Sequence, residues 1–191
     1  MATVAACMVF VCLPSKNADA GYAKSSDKPG KDEKKMICAY KSGNCNGMPY
    51  ASMTNQRGYL VVYDNGNCNG MPFWSMKKSA RCCEVYPNGN CNGIPVGYFK
   101  YGSRGTEFYP NGNGNGFPVY YFEFKGRYVA IYDNGNGNGF PKWSIRQNGQ
   151  IAEFYSNGNC NGIPELSVKG ADDLRDVLEF MFYLFIYGFR A

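Results

Sequence analysis

The pattern N-G-N-x-N-G opens at Asn65, Asn88, Asn111, Asn134 and Asn157, with the variant S-G-N-C-N-G at Ser42. Each step is 23 residues and no insertion interrupts it. A fixed period of that size marks a repeat architecture, in which each unit buries its apolar face only by stacking on its neighbours. Six units follow from Ser42, and a partial one, Met36-Ile37-Cys38-Ala39-Tyr40-Lys41, precedes them.

Stacking the units gives columns with a physical reading. Column 7 is large and apolar (Met48, Met71, Ile94, Phe117, Phe140, Ile163), and column 8 is always Pro. Columns 10 and 12 are largely apolar and alternate with polar 11 and 13, which is the period of a half-buried strand. A second turn signal follows at Gly58, Gly102, Gly126 and Gly149. Columns 18 to 22 then make a second short strand rich in Tyr, Val, Ile and Phe. Asn-Gly between such runs is a strong hairpin signal. Each unit is therefore expected to be two strands and two turns in an all-β fold. The Pro column must sit at a strand start or where no N–H is needed.

Two arrangements fit. In an antiparallel hairpin meander, equivalent positions of neighbouring units lie about 9–10 Å apart; in a parallel β-solenoid they lie about 4.8 Å apart. A disulfide needs Cα atoms within about 7 Å. Cys45, Cys68 and Cys91 share column 4, so neighbours among them could be bridged only in the solenoid. Either way the array reads as an elongated platform.

The stretch Tyr132-Asp133-Asn134-Gly135-Asn136-Gly137-Asn138-Gly139-Phe140-Pro141-Lys142-Trp143 leads on to Gln147-Asn148-Gly149-Gln150 and Phe154-Tyr155-Ser156-Asn157-Gly158. Over Met36 to about Lys169 the units resemble MORN repeats, in particular the bacterial antitoxin-type variant of that family. The Pro column and the Asn of column 5 depart from the usual pattern. The resemblance implies a hairpin meander that acts as a scaffold, a membrane-associated platform or an interaction module.

The two ends read differently. Residues 1–20 look like a secretory signal peptide: Ala5 to Leu13 is a short apolar core and Ala18-Asp19-Ala20 an A-x-A cleavage site, although no positive charge precedes the core. Residues 21–35 are a Lys-rich flexible spacer, residues 36–169 the repeat array, and residues 170–191 a C-terminal cap. In the cap, Leu174, Val177, Leu178, Met181 and Phe185 have helical spacing, with Asp172 or Asp173 as the N-cap. A capping helix would cover the exposed edge of the array. A last strand and a lipid-anchor signal ending in the apolar run 180–189 are the alternatives.

The chain contains no His. Ser-His-Asp and Cys-His catalysis and His-ligated zinc are thereby excluded. Seven cysteines follow the leader: Cys38, Cys45, Cys68, Cys82, Cys83, Cys91 and Cys160. They are disulfide candidates in a secreted protein, the odd number leaving one free or paired between chains. No C-x-x-C occurs, and the N-x-N-x-N-G loops lack the bidentate acid of a calcium site. Neither a metal nor a cofactor is expected. The chain carries +5 overall, but its bases are scattered rather than striped, so specific nucleic-acid binding is not expected. The array acids sit in columns shared with ordinary surface residues and suggest no catalytic pair.

The candidate binding residues are the column 22 tyrosines Tyr63, Tyr86, Tyr109, Tyr132 and Tyr155, together with Trp74 and Trp143. Regularly spaced aromatics of this kind can stack on sugars or partner surfaces, or can serve as the sheet's own core. The expected function is non-catalytic: a secreted or extracellular repeat protein that offers a regular β surface to a protein or glycan. The alternative is a structural protein that assembles with copies of itself into fibres. Membrane anchoring would follow only from an anchor signal in the tail.

Overall fold

The computed structural model describes residues 35–186. The leader 1–20, and the spacer apart from Lys35, lie outside the described residues. Twelve strands follow one another: β1 Met36–Tyr40, β2 Ala51–Gln56, β3 Tyr59–Tyr63, β4 Trp74–Lys78, β5 Cys82–Tyr86, β6 Gly97–Tyr101, β7 Thr106–Tyr109, β8 Tyr120–Lys125, β9 Tyr128–Tyr132, β10 Trp143–Asn148, β11 Ile151–Tyr155 and β12 Leu166–Lys169. One helix, α1 Leu174–Phe185, completes them. Each strand pairs antiparallel with the next, and β1 pairs antiparallel with β12 through Cys38↔Lys169, Ala39↔Val168 and Tyr40↔Ser167. The sheet is a closed barrel.

This corrects two expectations. The parallel solenoid fails, because every strand pair is antiparallel. The open, elongated array fails as well. A sheet twists by about 20–25° per strand, and twisted sheets beyond about ten strands tend to curl. Here the first and last strands meet.

The even strands open at Ala51, Trp74, Gly97, Tyr120, Trp143 and Leu166, the equally spaced residues of column 10. Columns 10 and 12 face inward. Cross-strand pairs such as Met53↔Val62, Met76↔Val85, Phe99↔Phe108, Phe122↔Ile131 and Ile145↔Phe154 line the lumen. Short turns of two to four residues, such as Arg57-Gly58 with φ of 53° and 89°, join strands at one end of the barrel. Six long loops carry the Asn-Gly pattern at the other end.

The helix is no edge cap, since closure leaves no edge. It fills the lumen. Asp173 caps it, its carboxylate accepting from the Arg175 N–H at 2.9 Å. Every residue from Val177 to Leu184 is buried, which is the mark of a helix surrounded on all sides. The Phe182 ring meets Phe99, Phe108, Tyr120 and Phe122 at 4.7 to 5.5 Å. Phe185 meets Phe154 at 4.0 Å. Eight strands make a lumen that side chains alone can fill, and diameter grows with strand number. Twelve leave an axial space, and a helix about 10–12 Å across fits it. Twelve helical residues span about 18 Å, close to the height of a five- or six-residue strand. The last-strand alternative for this segment is thereby overturned.

Gly97 shows how tight the fit is: a Cβ there would collide with the Tyr183 hydroxyl. The plug predicts a large truncation cost. Phe182→Ala should lower the unfolding free energy by about 3–5 kcal/mol, measured by urea denaturation. A loss below 1 kcal/mol would contradict a filled lumen.

Candidate functional site

The long-loop end is built by a repeated lock. The hydroxyl of Ser52 donates to the Asn65 carbonyl at 2.5 Å and accepts the Cys68 N–H at 3.0 Å. Ser75 holds Asn88 and Cys91 in the same way, and Ser144 holds Asn157 and Cys160. Each loop thus folds back over the outer wall and docks on column 11 of the preceding hairpin. The first loop docks on the last hairpin: Ser167 accepts from the Cys45 N–H at 2.9 Å and donates to the Ser42 carbonyl. The other two loops carry Gly114 and Gly137 at the docking position, and there column 11 is Tyr98 and Tyr121, whose rings occupy the space a Cβ would need. Four positions pair Ser with Cys and two pair Tyr with Gly.

Column 4, not the asparagines, takes the left-handed backbone. Cys45, Cys68, Cys91 and Cys160 have φ of 53°, 54°, 54° and 56°, a region that strains a residue with a Cβ. The asparagines instead staple their own loops. Asn65 Nδ2 donates to the Asn69 carbonyl at 2.7 Å, and Asn88, Asn134 and Asn157 repeat the contact at 2.6 to 2.8 Å. Loops held this way present column 7 outward. Met48, Met71, Ile94, Phe117, Phe140 and Ile163 are 83–96 % exposed. Six large apolar side chains on one end of a barrel need a reason, because each leaves about 1.5–3 kcal/mol of burial unrealised.

The column 22 tyrosines stand outside the cluster that fills the lumen, yet they are covered. Tyr63, Tyr86, Tyr109, Tyr132 and Tyr155 are all buried. Their hydroxyls are engaged: Tyr86 donates to Glu84, Tyr109 to Glu107, Tyr155 to Glu153 and Tyr132 to Glu123 at 2.7 to 2.8 Å, while Tyr63 accepts from Gln56 at 2.5 Å. Their ring faces are therefore covered. Trp74 and Trp143 are partly buried against the core; Trp74 packs on Tyr183 at 5.2 Å and Lys142 lies 4.6 Å over Trp143. All seven cysteines Cys38, Cys45, Cys68, Cys82, Cys83, Cys91 and Cys160 are free thiols. Burial raises the Cys38 thiol, with smaller contributions from neighbouring Cys68 and Cys45.

A polar cluster lies inside the opposite mouth. Glu179 of α1 is 1 % exposed. It accepts from Lys78 Nζ at 3.1 Å and from the Tyr101 hydroxyl. Lys78 also donates to the Arg175 carbonyl. Burial, and then the Glu179 charge, push Tyr101 and the Cys83 thiol well above their usual ranges. A cavity of about 510 Å³ opens beside this cluster, between β4, β6, β8 and α1. Lys78, Tyr101 and Glu179 leave no signature in the repeat columns. Column 14, which holds the first two, is variable in type, and Glu179 interrupts an apolar helix pattern that can be read only once the helix is known to be enclosed. Among the described residues, no group of three or more Cys, Asp or Glu could hold a metal, and no helix is long and apolar enough to cross a membrane.

No family model, curated protein or solved structure matches this chain.

Two outcomes follow from the lock and the tyrosine layer. Ser52→Tyr alone should destabilise the barrel by about 1–3 kcal/mol through overpacking against Cys68. Adding Cys68→Gly should recover most of that loss, since Tyr98–Gly114 already fits; chemical denaturation of the two single variants and the double would show it. Tyr86, Tyr109 and Tyr155 are pushed up to about 12, first by burial and then by hydrogen bonds to carboxylates. A raised folded value means the protonated form is favoured in the folded state. The stabilisation is full below pH about 10, where an unfolded tyrosine ionises, and is lost as pH rises through about 12. The tyrosinate absorbance owed to Tyr86, Tyr109 and Tyr155, taken as the difference between the native chain and their Phe variants, should therefore rise together with loss of far-UV circular dichroism, rather than near pH 10 in an intact barrel.

Proposed function

We propose that this chain is a non-catalytic binding protein that grips a protein partner with the ring of six column 7 side chains at its long-loop end. We read the barrel as six copies of a 23-residue MORN-like unit whose ends meet, the Cys45 loop resting on Ser167 as the Cys68 loop rests on Ser52. One observation carries the reading: Met48, Met71, Ile94, Phe117, Phe140 and Ile163 are 83–96 % exposed. Full burial of all six would yield about 10 kcal/mol or more. That can offset an association cost of about 4–15 kcal/mol only if most of the ring engages at once.

A protein fits better than a glycan. Four of the six tips are Met or Ile, which lack the flat aromatic face that sugars stack on, and single protruding knobs suit holes in a packed protein surface. Fibre growth by pairing of strand edges has no support in a barrel whose β1 and β12 are already paired. Self-association through the ring is still a protein contact, and the test below separates it. The A-x-A leader favours a secreted or extracellular setting.

A variant with Phe117→Asp, Phe140→Asp and Ile163→Asp should keep its circular dichroism spectrum and melting temperature. A photo-crosslinker at position 94 should capture a discrete protein with the native chain and lose it with the triple variant. If the captured partner is the chain itself, sedimentation should show a concentration-dependent dimer that the variant abolishes. Equal capture by both forms would overturn the proposal.

A further inference from the structure

The cavity at the short-turn mouth carries an unbalanced charge. Lys78, Arg104 and Arg175 line it, against one carboxylate, that of Glu179. Glu179 is already committed to Lys78 and Tyr101. Six ion pairs occur among the described residues, and neither Arg104 nor Arg175 takes part in one. Of the nearby aspartates, Asp172 pairs with Lys35 and Asp173 caps the helix, while Asp176 lines a neighbouring cavity that Lys78 also borders.

Arg175 occupies the first turn of α1, where the helix dipole disfavours a cation by about 0.3–1 kcal/mol. Arg104 and Lys78 add like charge to the same small space. Arg104 also borders a shallower pocket that Glu107 lines, but Glu107 pairs with Lys100, so both guanidinium groups keep donors free for bidentate oxyanions. Beside them the cavity has an apolar side: the half-buried Phe124, with the Arg175 guanidinium 5.3 Å over its ring, backed by the buried Leu178. The volume of about 510 Å³ is within the usual range for a small-molecule site.

We infer that this mouth is a binding site for a small organic oxyanion, a phosphate or carboxylate carried on an apolar ring. Arg104 and Arg175 take the charged oxygens, and the half-buried Phe124 takes the ring. Lys78 and Glu179 form the polar floor that holds the helix against β4 and β6. The site lies at the opposite end from the apolar tips and does not depend on them.

Phenyl phosphate and benzoate, titrated into the intact chain by calorimetry, probe the two headgroups. Saturable binding of either one is expected, with benzyl alcohol at least about tenfold weaker, a difference of about 1.4 kcal/mol. Arg104→Gln with Arg175→Gln should weaken the anion at least about tenfold while the melting temperature holds. If that pair unfolds, the single Arg104→Gln variant, at an exposed turn, should show a measurable loss by itself. The Asp variants of the apolar tips should bind as the native chain does. Absence of saturation by both probes at about 10 mM, or equal affinity of native and arginine-free forms, would overturn the assignment.

Discussion

A twelve-stranded barrel cannot exist here without something inside it, and α1 cannot be buried on all sides without the barrel. Side chains such as Phe99, Phe122 and Ile145 reach inward, but only the helix brings Phe180, Met181 and Phe182 to meet them in one cluster. Wall and plug therefore form a single packing unit. Small residues in the wall are placed to suit it: Gly97 leaves room for the Tyr183 hydroxyl, while Trp74 and Trp143 fill the same column elsewhere. The lumen has no internal symmetry to match that of the wall, because an α-helix with a period of 3.6 residues sits inside it.

Closure also depends on the loops. Each docks on the hairpin before it through a hydroxyl that both donates and accepts, or through a tyrosine ring against a glycine. The contact between Gly43 and Pro164 repeats that between Gly66 and Pro49 across the seam. The same geometry holds the loop tips out in solvent. Rigidity and exposure thus share one cause, since a loop stapled by its own asparagines cannot fold Phe117 or Phe140 back onto the wall.

The two ends of the barrel are chemically unlike. The long-loop end is apolar at its tips and held mainly by hydrogen bonds of Ser and Asn side chains to backbone groups. The short-turn end gathers Lys78, Arg104, Arg175 and Glu179 about the start of the helix. A partner surface and a small anion would each find only one end suitable.

The sequence by itself determined the strands and turns. Period-two alternation in columns 10 to 13, and Gly at turns such as Arg57-Gly58, act over a few residues and are legible without any partner. The pairing of Cys with Ser and Gly with Tyr was also written there, including the match of Cys45 to Ser167 across the chain, but nothing local says that the two columns touch. The tertiary structure decided whether the array runs on or closes, because sheet curvature is the sum of many small twists. It also decided where the helix lies: Leu174, Val177, Leu178 and Met181 would suit a cap on an edge or a plug equally well. Only a lumen too wide for side chains selects the plug, and only the plug turns Glu179 from a surface acid into a buried one.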